Sequence, residues 1–133
     1  MDKKTNKSMV KLTLQDILNK KLQKDSNEIK YKDIFVSKLG GELTFKIPTD
    51  DEIFDIVDEL GENHSTRHIK EVYTKMIYRQ CEILHEKELL STYNITIGFD
   101  VVGILFSTKD VMNVGNLIMG YTGFGEKGEE IKN

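Results

Sequence analysis

KDIFVSKLGGELTFKIP, residues 32–48, has the clearest strand pattern of the chain. Its first half is rich in β-branched and aromatic residues, and Ile34 and Val36 share one face. Its second half alternates strictly and ends at Pro48, which has no N–H to donate. Between the halves stands Gly40-Gly41, and glycine reaches the positive φ of a tight turn without strain. We therefore predict a β-hairpin over residues 32–47. In its second strand the side chains of Leu43, Phe45 and Ile47 should face the core.

On both sides of this hairpin the apolar residues repeat with helical spacing. Thr13 and Asp16 resemble a capping box at the start of a helix over residues 14–24. After the hairpin, Thr49 caps a helix that ends at Gly61. The apolar stripe of that helix is formed by Ile53, Ile56, Val57 and Leu60. Further helices are expected over residues 65–85 and 109–119. Residues 99–106 fit either a short helix or a buried strand, and Asp100 and Gly103 favour the helix.

These elements predict one α+β domain over residues 12–124, mostly helical, with four to five helices and one hairpin in its N-terminal half. The length of 133 residues fits a single domain. Residues 1–11 are polar and lysine-rich, and residues 125–133 combine glycine with charge. We expect a disordered basic N-terminus and a flexible C-terminal tail.

Composition and charge exclude several classes of protein. No apolar run approaches the ~20 residues of a membrane-spanning helix, and no signal peptide is recognisable, so a cytoplasmic protein is expected. The first 40 residues carry ten Lys and five Asp or Glu, whereas the rest carry nine Lys or Arg and seventeen Asp or Glu. Such asymmetry can mark a nucleic-acid arm. Here no aromatic or Arg interleaves the lysines, so neither nucleic acid nor membrane is expected as a partner.

The histidines and the single cysteine form the only metal-like spacing in the sequence. His64 and His68, like Cys81 and His85, are i,i+4 pairs, which place two ligands on one helix face. If residues 65–85 form one helix, however, His68 and Cys81 lie about 20 Å apart. Cys81 with His85 also lacks an orienting acid and an oxyanion hole. We therefore predict no metal, no cofactor and no catalytic set.

An acidic stripe follows Pro48. Its members, Asp51, Asp55, Asp58 and Glu62, recur with helical spacing, and no Lys or Arg occurs between Pro48 and Asn63. The stripe is either an ordinary solvated helix face or a docking face for a basic partner, which one-signed charge would orient. The sequence leaves both interpretations open.

Several blocks together resemble the XkdN-like tail assembly chaperones of contractile-tailed phages and defective prophages of Gram-positive bacteria. The hairpin stretch at 32–48 is similar to that family's hairpin, and residues 12–22 to its opening helix. Two further blocks also match it, namely 71–84 and 87–93, before a last pair of helices ending near 120–124. The resemblance rests on the order and spacing of the blocks over about residues 12–124. The chain departs from the family at Asn94–Gly98, which is more β-branched and less acidic.

The resemblance implies a non-enzymatic protein of the bacterial cytoplasm. Such chaperones bind the tape-measure protein, keep it soluble, help to recruit the tail-tube protein around it, and leave before the virion matures. In many phages a ribosomal frameshift also yields a longer product. A homo-oligomer is compatible with this function. The competing interpretations are a small adaptor or immunity-type protein that binds one folded partner through its acidic helix, and a metal-dependent protein that uses the His/Cys set.

A chaperone for a long chain needs modest apolar patches that bind weakly and repeatedly. Residues at or beyond the edge of the last helix's apolar stripe are candidates for such a patch. Methionine, being unbranched and polarizable, suits a surface that accepts varied partners. The alternative is that these residues complete the core. The predicted partner-binding residues are thus Phe106, Met112, Met119, Tyr121 and Phe124, with orientation from Asp51, Asp55 and Asp58.

Overall fold

The computed structural model describes residues 10–20 and 29–124. In these ranges it contains six α-helices and one two-stranded sheet, which confirms the mostly helical α+β class. Residues 1–9 and 125–133, most of the two terminal segments predicted to be disordered, lie outside the described residues, as do residues 21–24 of the first predicted helix. The elements are α1 (Leu14–Lys20), β1 (Tyr31–Val36), β2 (Gly41–Lys46), α2 (Asp50–Leu60), α3 (Thr66–Gln80), a 3-10 turn (Glu82–His85), α4 (Lys87–Thr92), α5 (Asp100–Leu105) and α6 (Thr108–Thr122).

The predicted hairpin is present. Strands β1 and β2 pair antiparallel, from Tyr31 opposite Lys46 to Val36 opposite Gly41. The loop is Ser37–Gly40, and Gly40 has a φ of 72°, a left-handed conformation that glycine adopts without strain. Gly41, which we placed in the turn, belongs to β2. Four of the inward residues are buried as expected: Ile34, Val36, Phe45 and Ile47. The fifth, Leu43, is only partly buried.

The core lies where α3 crosses the hairpin and α6. Helix α3 buries Val72, Met76 and Ile77 against these elements. Helix α6 contacts α3 closely at Gly115, which packs against the ring of Tyr73. The Tyr73 hydroxyl donates a hydrogen bond to Asn116 Oδ1 at 2.9 Å, so the only polar group of this buried ring is satisfied. The facing residues of α6 are Val111, Val114 and Ile118.

A buried carboxylate connects the hairpin loop to α6. Asp110 accepts hydrogen bonds from the backbone N–H groups of Ser37 (3.0 Å), Lys38 (3.1 Å) and Ser107 (3.1 Å). Burial alone would raise its pKa, but the hydrogen bonds from Ser107, Lys38 and Ser37 outweigh burial and hold the pKa below its ordinary value of 3.8. The residue therefore stays ionised and fixes the hairpin on the helical layer.

The prediction of one long helix over residues 65–85 is wrong for its last turn. Helix α3 ends at Gln80, Cys81 is extended with φ −124° and ψ 101°, and the 3-10 turn follows. Gln80 is buried at this break and donates from Nε2 to the backbone carbonyl of Lys46 at 2.8 Å, which ties α3 to β2. With the separate α4, the described residues contain six α-helices, one more than the upper end of the expected four to five.

Candidate functional site

Two of the predicted partner-binding residues belong to the core. Phe106 and Met119 are 2% and 4% exposed, so neither presents a surface to a partner and that part of the prediction is corrected. Met119 adjoins Ile118 on the buried face of α6, and Phe106 follows α5 with its side chain packed in the same cluster. Met112 is partly buried against this cluster. The core interpretation therefore holds for these positions.

The other two apolar candidates are exposed. Tyr121 lies in the last turn of α6 and Phe124 just beyond it, with 40% and 51% of their surfaces accessible. The ammonium of Lys32 on β1 lies 5.2 Å from the Tyr121 ring centroid, a cation–π distance that holds the ring against the hairpin. Exposed aromatic side chains of this kind are typical anchors of protein interfaces.

The structure brings these aromatics next to the acidic stripe. Phe54 of α2 is 54% exposed, and its ring meets the Phe124 ring edge-to-face, with centroids 6.2 Å apart and an interplanar angle of 88°. Such pairs are favourable beyond their buried area. The exposed aromatic candidates and the acidic candidates thus form one surface. We call it the aromatic–acidic face, and it consists of Phe54, Tyr121, Phe124, Asp51, Asp55 and Asp58.

The three aspartates of this face are exposed and lie on one side of Phe54, at helical positions −3, +1 and +4 from it. The ion pairs seen on α2 use two other acids: Glu52 with Lys46 at 3.5 Å and Glu59 with Lys75 at 3.6 Å. The aspartates therefore present negative charge to solvent beside an exposed aromatic pair. This arrangement suits a partner that combines apolar and basic side chains.

Phe54 was not among the predicted residues. Val57 was predicted to lie in the buried stripe, whereas it is exposed and only Ile53 and Ile56 of α2 are fully buried. Phe54 lies at the edge between this narrower stripe and the acidic stripe. An aromatic residue at the boundary between an apolar and an acidic stripe is the signal that could have identified it, because aromatic side chains are frequent anchors of protein interfaces.

The histidines and the cysteine do not converge. His68 Nε2–H donates to the Glu59 carbonyl at 2.9 Å, and His85 Nε2–H donates to the Tyr78 carbonyl at 2.7 Å with its ring beside that of Tyr78. Cys81 is fully buried. Within residues 10–20 and 29–124, no three His, Cys, Asp or Glu side chains are grouped so that they could hold a metal ion.

Burial makes Cys81 unreactive. It raises the pKa of the thiol to about 11, and the reactive thiolate is therefore scarce at neutral pH. We expect the native protein to resist a disulfide-based thiol dye at pH 7 and to react stoichiometrically once denatured. Rapid labelling of the native thiol, followed by the dye's absorbance, would contradict this placement of Cys81.

In the part of the chain that the structure describes, no helix has both the length and the apolar character needed to cross a bilayer. Comparisons of the chain with models of protein families, with curated proteins and with solved structures found no match.

Proposed function

We propose that this protein is a tail assembly chaperone of a contractile-tailed phage or prophage, and that it binds the tape-measure protein through the aromatic–acidic face. The observation that carries the proposal is the exposed Phe54–Phe124 pair beside three solvent-facing aspartates. The resemblance of residues 12–124 to the XkdN-like family supports the same function. The protein acts by binding, without a cofactor and without catalysis, in the cytoplasm of the bacterial host.

The geometry suits a weak and repeated contact. A tape-measure protein is a very long chain that exposes apolar helical stripes until the tube encloses it. At this face each copy of the chaperone offers a few exposed rings, Phe54, Tyr121 and Phe124. Many copies along one chain then hold it by avidity, and each copy is released when tail-tube subunits compete for the same stripe. The aspartates contribute orientation and association rate more than affinity.

Replacing the aromatic pair should abolish this activity without unfolding the protein. We expect Phe54→Asp/Phe124→Asp to weaken binding of each copy by tenfold or more, since buried aromatic anchors at interfaces contribute about 2 kcal/mol or more. The measurement is the soluble fraction of the tape-measure protein on co-expression, together with a pull-down. Asp51→Lys/Asp55→Lys should slow association and reduce its salt dependence.

The matched control is Phe35→Asp. Phe35 is as exposed as Phe54 but lies on the solvent face of β1, opposite Glu42 in the partner strand. The Phe35→Asp variant should bind the tape-measure protein and keep it soluble as well as wild type does. If the Phe54/Phe124 double variant is folded by circular dichroism and still solubilises the tape-measure protein, the aromatic–acidic face is not the binding surface.

A second candidate function is an adaptor or immunity-type protein that binds one folded partner through α2. The exposed aspartates favour it independently of the aromatic pair. The same experiment separates the two functions, because only a chaperone raises the solubility of a tape-measure protein. An adaptor would leave that solubility unchanged and would depend on Asp51, Asp55 and Asp58.

A further inference from the structure

Helix α1 carries an apolar stripe that the rest of the described chain leaves uncovered. Leu14, Ile17 and Leu18 lie at i, i+3 and i+4 and are 51–71% exposed. A capping box starts the helix: Asp16 N–H donates to Thr13 Oγ1, and Thr13 N–H donates to Asp16. Short isolated helices are only marginally stable in water, so an exposed apolar stripe of this kind gains stability from a surface on which to pack.

An apolar groove elsewhere in the fold is open. It lies where the hairpin meets the 3-10 turn and α4, and its volume of about 500 Å³ is within the range of sites that bind side chains and small ligands. The charged residues that line it are both acidic, Glu86 and Glu88, and both are exposed. Its apolar lining includes Leu39, Leu43, Ile83, Leu89, Tyr93 and Leu105.

The stripe and the groove are complementary. An amphipathic helix enters a hydrophobic groove through anchors at i, i+3 and i+4, which is the spacing of Leu14, Ile17 and Leu18. Lys11 and Lys20 flank these anchors, one on each side, and carry the charge opposite to that of the groove's acids. Opposite charges at the rim set the orientation and suppress wrong partners.

We propose that the groove binds helix α1 of a second copy of this chain. Among residues 10–20 and 29–124 both the stripe and the groove are uncovered, and α1 does not occupy the groove of its own chain. Reciprocal exchange of α1 fills two grooves at once and closes as a two-fold dimer, in which each copy makes the same contacts. The contact is small compared with standard protein interfaces of roughly 1,600 Å², so the dimer dissociates readily. This inference does not depend on the proposed tail-assembly function.

Cysteine cross-linking tests the exchange. Ile17 and Ile83 are both exposed, so cysteines at these positions do not disturb the core. Chains bearing only Ile17→Cys, mixed with chains bearing only Ile83→Cys, should form a covalent heterodimer under mild oxidation. Two controls share the chemistry: each single variant alone, and Ile17→Cys mixed with Phe35→Cys. These should form far less dimer, and the buried native Cys81 should form none.

Sedimentation velocity supplies an independent measurement. We expect concentration-dependent dimerisation of the full-length wild type, its loss in Ile17→Asp and in Ile83→Asp, and its retention in Phe35→Asp. Mixing the two defective variants should recover a heterodimer, because one intact α1 then meets one intact groove. A wild type that is monomeric at all concentrations, or an Ile17→Cys/Ile83→Cys chain that cross-links only within itself, would overturn the proposal.

Discussion

Replacing Asp110 with alanine should lower the free energy of unfolding by about 3 kcal/mol, a large fraction of the 5–15 kcal/mol typical of a domain. The carboxylate accepts three backbone hydrogen bonds, two of them from the hairpin loop. Hydrogen bonds to a charged group contribute about 1.5–3 kcal/mol each, and some of the freed N–H groups regain water. Thermal unfolding followed by circular dichroism should show a melting temperature lower by about 10 °C.

Glu52 provides the matched control. Like Asp110, it is the third residue of a helix whose capping box it completes, in α2 with Thr49. Glu52 has no hydrogen bond to the hairpin loop, so Glu52→Ala should cost only about 1 kcal/mol, as the loss of a cap does. Glu52 also pairs with Lys46 of β2 at 3.5 Å, but this ion pair is partly exposed and contributes little, so most of the difference between the two variants comes from the hydrogen bonds to Ser37 and Lys38. Equal losses would show that Asp110 acts as a cap and nothing more.

The stability contributed by Asp110 should decrease as the pH is lowered. Its pKa in the folded protein is lowered, so the contribution is complete above the ordinary value of 3.8 that applies to the unfolded chain. It is lost as the pH falls through the folded pKa. Asp110→Asn removes this titration. The difference in unfolding free energy between wild type and Asp110→Asn should therefore be constant near neutral pH and shrink below about pH 4. A difference that stays constant on acidification would contradict the hydrogen-bonding role.

Local signals in the sequence were sufficient for much of the fold. The hairpin follows from a change in periodicity around Gly40-Gly41, and α2 follows from Thr49 and Gly61, whose capping roles the structure confirms. The caps of α3 and α6 are Ser65 and Ser107, which stand directly before the first residues of their helices. Such signals involve residues a few positions apart, so their physics is complete within the segment that carries them.

Features that depend on distant residues could not be predicted. Asp110 reads as an ordinary first-turn acid, because its hydrogen-bond partners are 72 and 73 positions away. The end of α3 at Cys81 has no glycine or proline to mark it, so the periodicity runs through the break. The burial of Phe106 and Met119 and the exposure of Phe54 depend on how α2, α5 and α6 pack. For that reason the sequence placed Asp51, Asp55, Asp58, Tyr121 and Phe124 on a candidate surface but did not join them through Phe54.

Gly115→Ala should destabilise the protein by about 2 kcal/mol, although the same change usually stabilises a helix. A Cβ at this position would overlap Cγ and Cδ2 of Tyr73, atoms at the base of the ring that cannot swing aside as a flexible chain end can. This overlap can be relieved only if α6 moves away from α3, and that movement loosens the core where the two helices are in close contact. Overpacking of this kind costs about 1–3 kcal/mol and outweighs the gain of up to ~1 kcal/mol in helix propensity.

Gly103→Ala is the control that separates packing from propensity. Gly103 lies in α5, and a Cβ there meets no atom within 4 Å, so this variant should be neutral or slightly more stable in denaturant unfolding.

The steric cause can also be tested by a double-mutant cycle. Tyr73→Leu removes the ring and its hydrogen bond to Asn116, and alone it should destabilise the protein. In the Tyr73→Leu background Gly115→Ala should cost much less than in wild type, because the space vacated by the ring accepts the methyl group. Additive losses would mean that Gly115 is required for some reason other than the close approach of α3 and α6.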